Sequence, residues 1–273
     1  MVIIMPKVSV IMGVYNCKNI DNLYRSVMSI VQQTFIDWEF IICNDGSTDN
    51  TLEILKDLEK LDKRIKIITY EKNNGLAYAL NLCIKFASGL YIARMDDDDI
   101  SAIDRLEKQI VFLDENKNID FVGSIANVFN EKGIWGVLKM PEYPTKNDFL
   151  WNIPFIHPSM VFRRNVFENI TYNTGFLNKR CEDYTLLMEL YSSGLKGYNI
   201  QEPLINYQVE NGEKKYRLMQ DRICEAIVRY RGYKKNRVLL KGIPYIIKPI
   251  ILGLIPQMIF KEVKKIQYKN MEK

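Results

Sequence analysis

From Val8 onward, short apolar runs alternate with stretches in which apolar residues recur every three or four positions. Val8-Ser9-Val10-Ile11-Met12 predicts a buried strand, after which Leu23, Val27, Ile30 and Val31 fall at helical spacing. Phe40-Ile41-Ile42-Cys43 predicts a second strand, with Leu52, Leu55, Leu58 and Leu61 as a helical stripe behind it. Ile65-Lys66-Ile67-Ile68 precedes a helix that starts at Gly75 and carries Leu76, Leu80 and Ile84. Leu90-Tyr91-Ile92-Ala93 runs into an acidic cluster, with Leu106, Ile110 and Leu113 beyond it. Four strand and helix units in roughly 110 residues predict right-handed crossovers and an open α/β sheet, Rossmann-like and mostly parallel, flanked by helices. Ligands of such sheets sit beyond the carboxyl ends of the strands, which directs attention to residues 13–16, 44–49, 73–75 and 96–99.

After about residue 118 the alternation weakens. Residues 121–129 and 159–162 read as strands, and 182–193 as a helix with Leu186, Leu187 and Leu190. With no Gly/Ser/Pro-rich linker, residues 1–213 read as one domain, a donor half (1–117) and an acceptor half (118–213). Charge sets the remainder apart: residues 214–273 hold 16 Lys+Arg against 4 Asp+Glu, whereas the first 213 hold 22 against 29.

Composition adds boundaries. With 47% hydrophobic and 26% charged residues over 273 positions, the chain has material for a full core. The five cysteines, Cys17, Cys43, Cys83, Cys181 and Cys224, are odd in number and include no Cys-x-x-Cys pair. That argues for a reducing compartment and against a disulfide framework or a zinc site. The apolar residues 1–5 are too few for a signal peptide. A bilayer span needs roughly 18–20 apolar residues; the nearest candidate, residues 242–260, is interrupted by Pro244, Lys248, Pro249 and Pro256. The expected location is therefore cytoplasmic.

The chemistry concentrates in a few places. Arg94-Met95-Asp96-Asp97-Asp98-Asp99 puts four like charges side by side, which repel one another and call for a cation. Hard oxygen ligands suit Mn²⁺ or Mg²⁺; the plainer alternative is a solvated acidic loop that caps the next helix. In Asn44-Asp45-Gly46-Ser47-Thr48-Asp49, Asp45 can accept from a nucleobase edge, or the segment is simply a turn into a helix. Glu182-Asp183 opens a helix, where negative charge is stabilised by the helix dipole, and a carboxylate there can equally take a proton from an attacking hydroxyl. His157, the one histidine, excludes a multi-histidine metal site and serves either a pocket or the core.

Taken in order, Val8-Ser9-Val10-Ile11-Met12-Gly13-Val14-Tyr15-Asn16, Asn44-Asp45-Gly46-Ser47-Thr48-Asp49, Asn73-Asn74-Gly75-Leu76, the aspartates 96–99 and Glu182-Asp183 resemble the ordered signature of glycosyltransferase family 2, over roughly residues 5–210. Gln32-Gln33-Thr34 and Ala87-Ser88-Gly89 fall between these motifs. The resemblance implies a GT-A fold, a single nucleotide-binding α/β domain with a mixed sheet. It implies that Val14, Tyr15, Asp45 and Asn74 hold the nucleoside, with Arg94 and Asp97 also on the donor. Asp98 would ligate the divalent cation and Asp96 lie beside it, and Asp183 would be the general base with Glu182 next to it. The implied reaction is an in-line displacement at the anomeric carbon, inverting its configuration, from a nucleotide-activated sugar, UDP by family habit, in polysaccharide or lipid-linked oligosaccharide synthesis. Asn44, Ile103 and Glu189 depart from residues common in the family. No Gln-x-x-Arg-Trp sequence occurs, so one sugar per acceptor is expected.

Two other readings remain open. A sugar nucleotidyltransferase would share the sheet and the metal but would carry a glycine-rich phosphate loop where Gly13 stands alone, and a non-catalytic sugar-nucleotide-binding subunit would share the donor site. Basic residues flanking apolar ones in 214–273 suit an anionic membrane face, hence peripheral attachment and a lipid-linked saccharide acceptor. The competing occupants of that tail are the chain's own core and a second copy; nucleic acid is disfavoured, because the first 213 residues are acidic.

Overall fold

The structure is a computed structural model that describes residues 5–178, 180–209 and 218–254. Its first half delivers the four predicted units: β1 (Val8–Val14), α1 (Ile20–Val31), β2 (Trp38–Asn44), α2 (Thr51–Glu59), β3 (Ile65–Thr69), α3 (Leu76–Phe86) and β4 (Tyr91–Arg94). The strands pair in parallel in the order β3-β2-β1-β4. Gly75 caps α3 at a φ of 88°, which only glycine adopts at little cost, so the predicted helix start holds. Leu61 falls outside its predicted stripe, because α2 ends at Glu59 and leaves Leu61 exposed.

The second half changes the pairing. After β5 (Ile100–Ser101) and α4 (Arg105–Glu115), the helix of the fourth predicted unit, come β6 (Phe121–Asn130), β7 (Gly133–Leu138), β8 (Val161–Arg163), α5 (Glu182–Ser192) and β9 (Gly197–Gln208). A two-residue turn joins β6 to β7 and forces them antiparallel. β8 inserts antiparallel between β4 and β6, while α5 carries the chain over to β9, which runs parallel to β6. Among the described residues the result is one mixed nine-stranded sheet, as the family resemblance implies.

Side-chain alternation divides the core in two. Val8, Val10, Met12 and Val14 of β1 face Leu23, Val27 and Ile30 of α1 and Leu106, Ile110 and Leu113 of α4. Ile11, Ile41 and Cys43 face the opposite way, onto Ala79, Leu80 and Cys83 of α3, in a cluster that continues to Leu186, Leu187 and Leu190 of α5. At the amino end of the strands, Glu39 accepts from the Ser9 hydroxyl at 2.7 Å, the Ser88 amide at 2.7 Å, the Ser88 hydroxyl at 2.6 Å and Lys66 at 2.7 Å. This buried carboxylate clamps the Ala87-Ser88-Gly89 turn to the sheet. Gly89 is required there, since a Cβ would meet the Ser9 amide nitrogen at 2.6 Å.

The tail is helical: α6 (Met219–Lys235) and α7 (Leu239–Leu254). α6 is built into the domain. Tyr233 is fully buried, accepts from Arg229 at 2.8 Å and bonds the carbonyls of Phe149 and Leu150, and Asn236 donates to the Met188 carbonyl of α5 at 2.9 Å. α7 lies against α6, with Gly242 over the Tyr233 ring. No described helix is long and apolar enough to cross a membrane. Pro256, the last interruption of the 242–260 stretch, lies outside the described residues.

Candidate active site

The four segments named from strand ends meet at the carboxyl edge of the parallel half-sheet. Val14 pairs with Asn44 and Ile11 with Arg94, so the loops after β1, β2 and β4 leave the sheet side by side. The first two are stitched together. Asn16, at a φ of 45°, accepts the Thr48 amide at 2.9 Å through its side chain, and its own amide donates to the Ser47 hydroxyl at 3.0 Å. Asn44 donates to Thr69 at 3.0 Å and so ties β2 to β3.

Asp45 is buried and already engaged. Its carboxylate accepts from the Tyr70 hydroxyl at 2.5 Å, the Asn73 side chain at 2.9 Å and the Asn74 amide at 2.8 Å. The residue expected to read a nucleobase thus first fixes the loop that enters α3. Gly46, at a φ of 62°, permits this closure, because a Cβ would strike the Asn73 amide nitrogen at 2.5 Å. Of the other expected nucleoside contacts, Val14 turns its side chain into the core, Tyr15 exposes nearly half its surface and Asn74 is exposed.

Beyond β4 the acidic run wraps around two buried arginines. Arg94 is 2% exposed and pairs with Asp96, while its Nε and Nη1 are buried with no hydrogen-bond partner among the described residues. Below it Arg105, fully buried, donates to the Arg94 carbonyl at 2.8 Å, the Ser101 hydroxyl at 2.9 Å and Gln109 at 3.0 Å. Burial, then the Arg94 charge, lowers Arg105 to about 9. Asp99 is buried, accepts the Gln208 amide at 2.8 Å through Oδ1 and has no partner for Oδ2 among the described residues. One oxygen each of Asp96, Asp98 and Asp99 lies within 4.8 Å of the others. Burial, then the charge of Asp96, pushes Asp97 up to about 6. The same causes, with Asp97 added, push Asp98 up to about 7; its side chain reaches solvent, but protein and like charge crowd its base. An all-carboxylate cluster with a buried oxygen lacking any donor fits a divalent cation. Asp99, not singled out as a ligand from the sequence, joins the expected Asp96 and Asp98 in this cluster.

The carboxylates of α5 face the same place. Glu182 and Asp183 occupy the first turn of the helix, and Asp183 accepts the Tyr184 amide at 2.6 Å. Burial and Asp183 push Glu182 up to about 7, and it feels both Arg94 and Asp96. Tyr172, buried between the groups, is raised by burial and also feels Arg94, Asp183, Glu182 and Asp96. Its hydroxyl meets His157 Nε2 at 2.7 Å. Burial and Arg94 hold that imidazole well below its ordinary pKa, hence neutral. The acidic loop, Arg94 and the start of α5 therefore lie within electrostatic reach of one another, with Tyr172 under the charge of both sides. Arg105 and Tyr172 were not singled out from sequence. Arg105 had a faint signal, since with Gln109 it flanks the buried Leu106, Ile110 and Leu113 of α4; Tyr172 had none.

A family model described as glycosyl transferase family 2 matches residues 9–171. EpsE of Bacillus subtilis (strain 168), named as a glycosyltransferase, is 35% identical over 98% of this chain and 96% of its own length. This chain belongs to glycosyltransferase family 2. The UDP-Glc:alpha-D-GlcNAc-diphosphoundecaprenol beta-1,3-glucosyltransferase WfgD of Escherichia coli is also 35% identical, over 79% of each protein. The crystal structure of S. aureus TarS 1-349 in complex with UDP-GlcNAc superposes with a TM-score of 0.68 at 18% identity, covering 89% of this chain and 73% of that one. This glycosyltransferase therefore has the GT-A fold, and the nucleotidyltransferase and non-catalytic readings give way to transferase activity.

Proposed function

We propose that this glycosyltransferase moves one sugar from a UDP-sugar to a hydroxyl of a saccharide acceptor, with inversion at the anomeric carbon, in cell-surface polysaccharide or lipid-linked oligosaccharide synthesis. The observation that carries the reading is the convergence of Asp96, Asp98 and Asp99 with Glu182 and Asp183 around the buried Arg94. Tyr15 offers an exposed ring for the base, on the rim that Asp45 and Asn74 shape with Val14 behind. Asp96, Asp98 and Asp99 would hold Mn²⁺ or Mg²⁺, which when bound offsets negative charge on a departing diphosphate. Arg94 keeps one nitrogen on Asp96 and has two others to give to the donor. Asp183 accepts the proton of the acceptor hydroxyl as the hydroxyl oxygen attacks the anomeric carbon and the bond to the diphosphate breaks, with Glu182 beside it in the first turn of the helix. A single displacement exchanges an α-linked donor for a β-linked product.

The name of WfgD, which acts on a diphosphoundecaprenol-linked sugar, supports a lipid-linked acceptor and hence work at the cytoplasmic face of a membrane. The test is a thermal-shift panel of sugar nucleotides with and without Mn²⁺. A UDP-sugar should raise the melting temperature only when metal is present, by the few degrees that saturating ligand supplies. If no nucleotide sugar shifts the transition, or EDTA leaves the shift intact, the proposal fails.

A further inference from the structure

The face of α7 turned away from the protein is made almost entirely of hydrocarbon. Leu240, Ile243, Pro244, Ile247, Ile251 and Leu254 are all exposed, Leu240 by 86% and Leu254 by 71%, and helical geometry stacks them in one stripe. The opposite face, with Gly242 and Pro249, is already buried against the domain. A surface helix normally shows one apolar face; a helix apolar on both needs a second apolar partner.

Charge identifies that partner. Between Glu225 and Glu262 the chain carries eight basic residues and no acidic one. By the same helical geometry, Lys241 and Lys248, seven residues apart, fall along one flank of the stripe, and Arg237, exposed like Lys241, stands in the turn that leads into the helix. Lys248 sits 3.6 Å over the ring of Trp151, which is itself exposed and packs edge-on to Tyr245. Apolar stripe, cationic flank and amphipathic tryptophan are the ingredients of a helix lying in the interface of an anionic bilayer. A second copy of the chain fits less well, since a two-fold interface uses the same patch on both copies and this patch offers cations but no carboxylate to pair with them.

We propose that α7 is a docking surface for an anionic lipid bilayer. Leu240, Ile243, Ile247, Ile251 and Leu254 enter the headgroup boundary, and Arg237, Lys241 and the Lys248–Trp151 pair lie at its rim. α7 rests on α6, which is packed on the α5 helix that begins with Glu182 and Asp183, so the cleft would be carried to the lipid surface on a rigid support. This deepens the reading of a lipid-linked acceptor, but the docking can be tested without any sugar.

The test is co-sedimentation of the full chain with phosphatidylcholine vesicles, with and without 30% phosphatidylglycerol, at low and high salt. The wild type should bind the anionic vesicles at least tenfold more strongly than the neutral ones, and lose most of that preference in high salt. Ile247→Glu/Ile251→Glu should lower the bound fraction tenfold or more with an unchanged melting temperature and unchanged nucleotide binding. Anionic vesicles should also blue-shift the tryptophan emission of the wild type, and Trp151→Phe should remove that shift, a readout that stands if the double variant misfolds. The proposal is overturned if the double variant binds like wild type. It is equally overturned if the wild type ignores both vesicles, or if the double substitution converts a dimer into a monomer without any effect on lipid. Failure of the sugar-nucleotide panel would leave these results untouched, so the two proposals fail separately.

Discussion

At the residue scale, charges at the two ends of the sheet are handled in opposite ways. Glu39 has every oxygen satisfied: burial alone would raise it, but hydrogen bonds from Lys66, Ser88 and Ser9 hold it down to about 2. A folded-state value below the ordinary carboxylate value means that its stabilisation is complete above about pH 4.3 and is lost as pH falls toward 2. Glu39→Gln should therefore cost about 3 kcal/mol at pH 7 and nearly nothing at pH 2, measured by chemical denaturation at the two pH values. At the carboxyl end Asp99 keeps a buried oxygen without a donor among the described residues, beside Asp96 and Asp98, which is the condition of a cation site. Asp98→Ala should weaken Mn²⁺-dependent nucleotide binding at least tenfold, about 1.4 kcal/mol, by titration calorimetry; unchanged affinity at saturating metal would remove Asp98 from the ligand set. The raised Glu182 supplies a pH signature. Below about 7 the Glu182 and Asp183 pair holds a proton, so turnover should fall on the acid side, and Glu182→Gln should displace that limb.

At the scale of elements, the chain's periodicities give away its parallel half far better than the rest. β1 to β4 and their helices were readable because each strand is a continuous apolar run and each helix shows one buried stripe, as with Leu23, Val27 and Ile30. β7, β5 and most of β9 were not, because they are short, bulged or half exposed, and their pairing depends on partners distant in sequence. The site shows the same divide. The acidic run could be read as a cation site because four adjacent carboxylates repel one another and a divalent cation relieves that repulsion directly, whereas the role of Asp45 as a loop clamp required knowing that Tyr70 and Asn73 come to meet it. Arg105 links β4, β5 and α4 through bonds that only the folded chain assembles. Arg105→Ala removes a buried guanidinium and orphans the Arg94 carbonyl; a loss of about 3 kcal/mol or more is expected in denaturant unfolding, together with weaker metal-dependent binding.

At the scale of the whole molecule, the basic tail plays two parts. α6 completes the core behind α5 through Tyr233, Cys224 and Val228, so Tyr233→Ala should destabilise the enzyme by about 3–5 kcal/mol even though the residue is far along the chain from the cleft. α7 stands outside that core and presents its apolar stripe outward. The account as a whole rests on a cation site and a base acting on one donor from two sides of one cleft. Its most direct test is the Asp183→Asn variant with the UDP-sugar found by the thermal-shift panel, with Mn²⁺-dependent donor affinity and transfer rate measured on the same sample. The account predicts affinity within about twofold of wild type and a turnover reduced by roughly 10²–10⁴, the range a general base supplies. A variant that binds the donor and transfers sugar at the wild-type rate would contradict it.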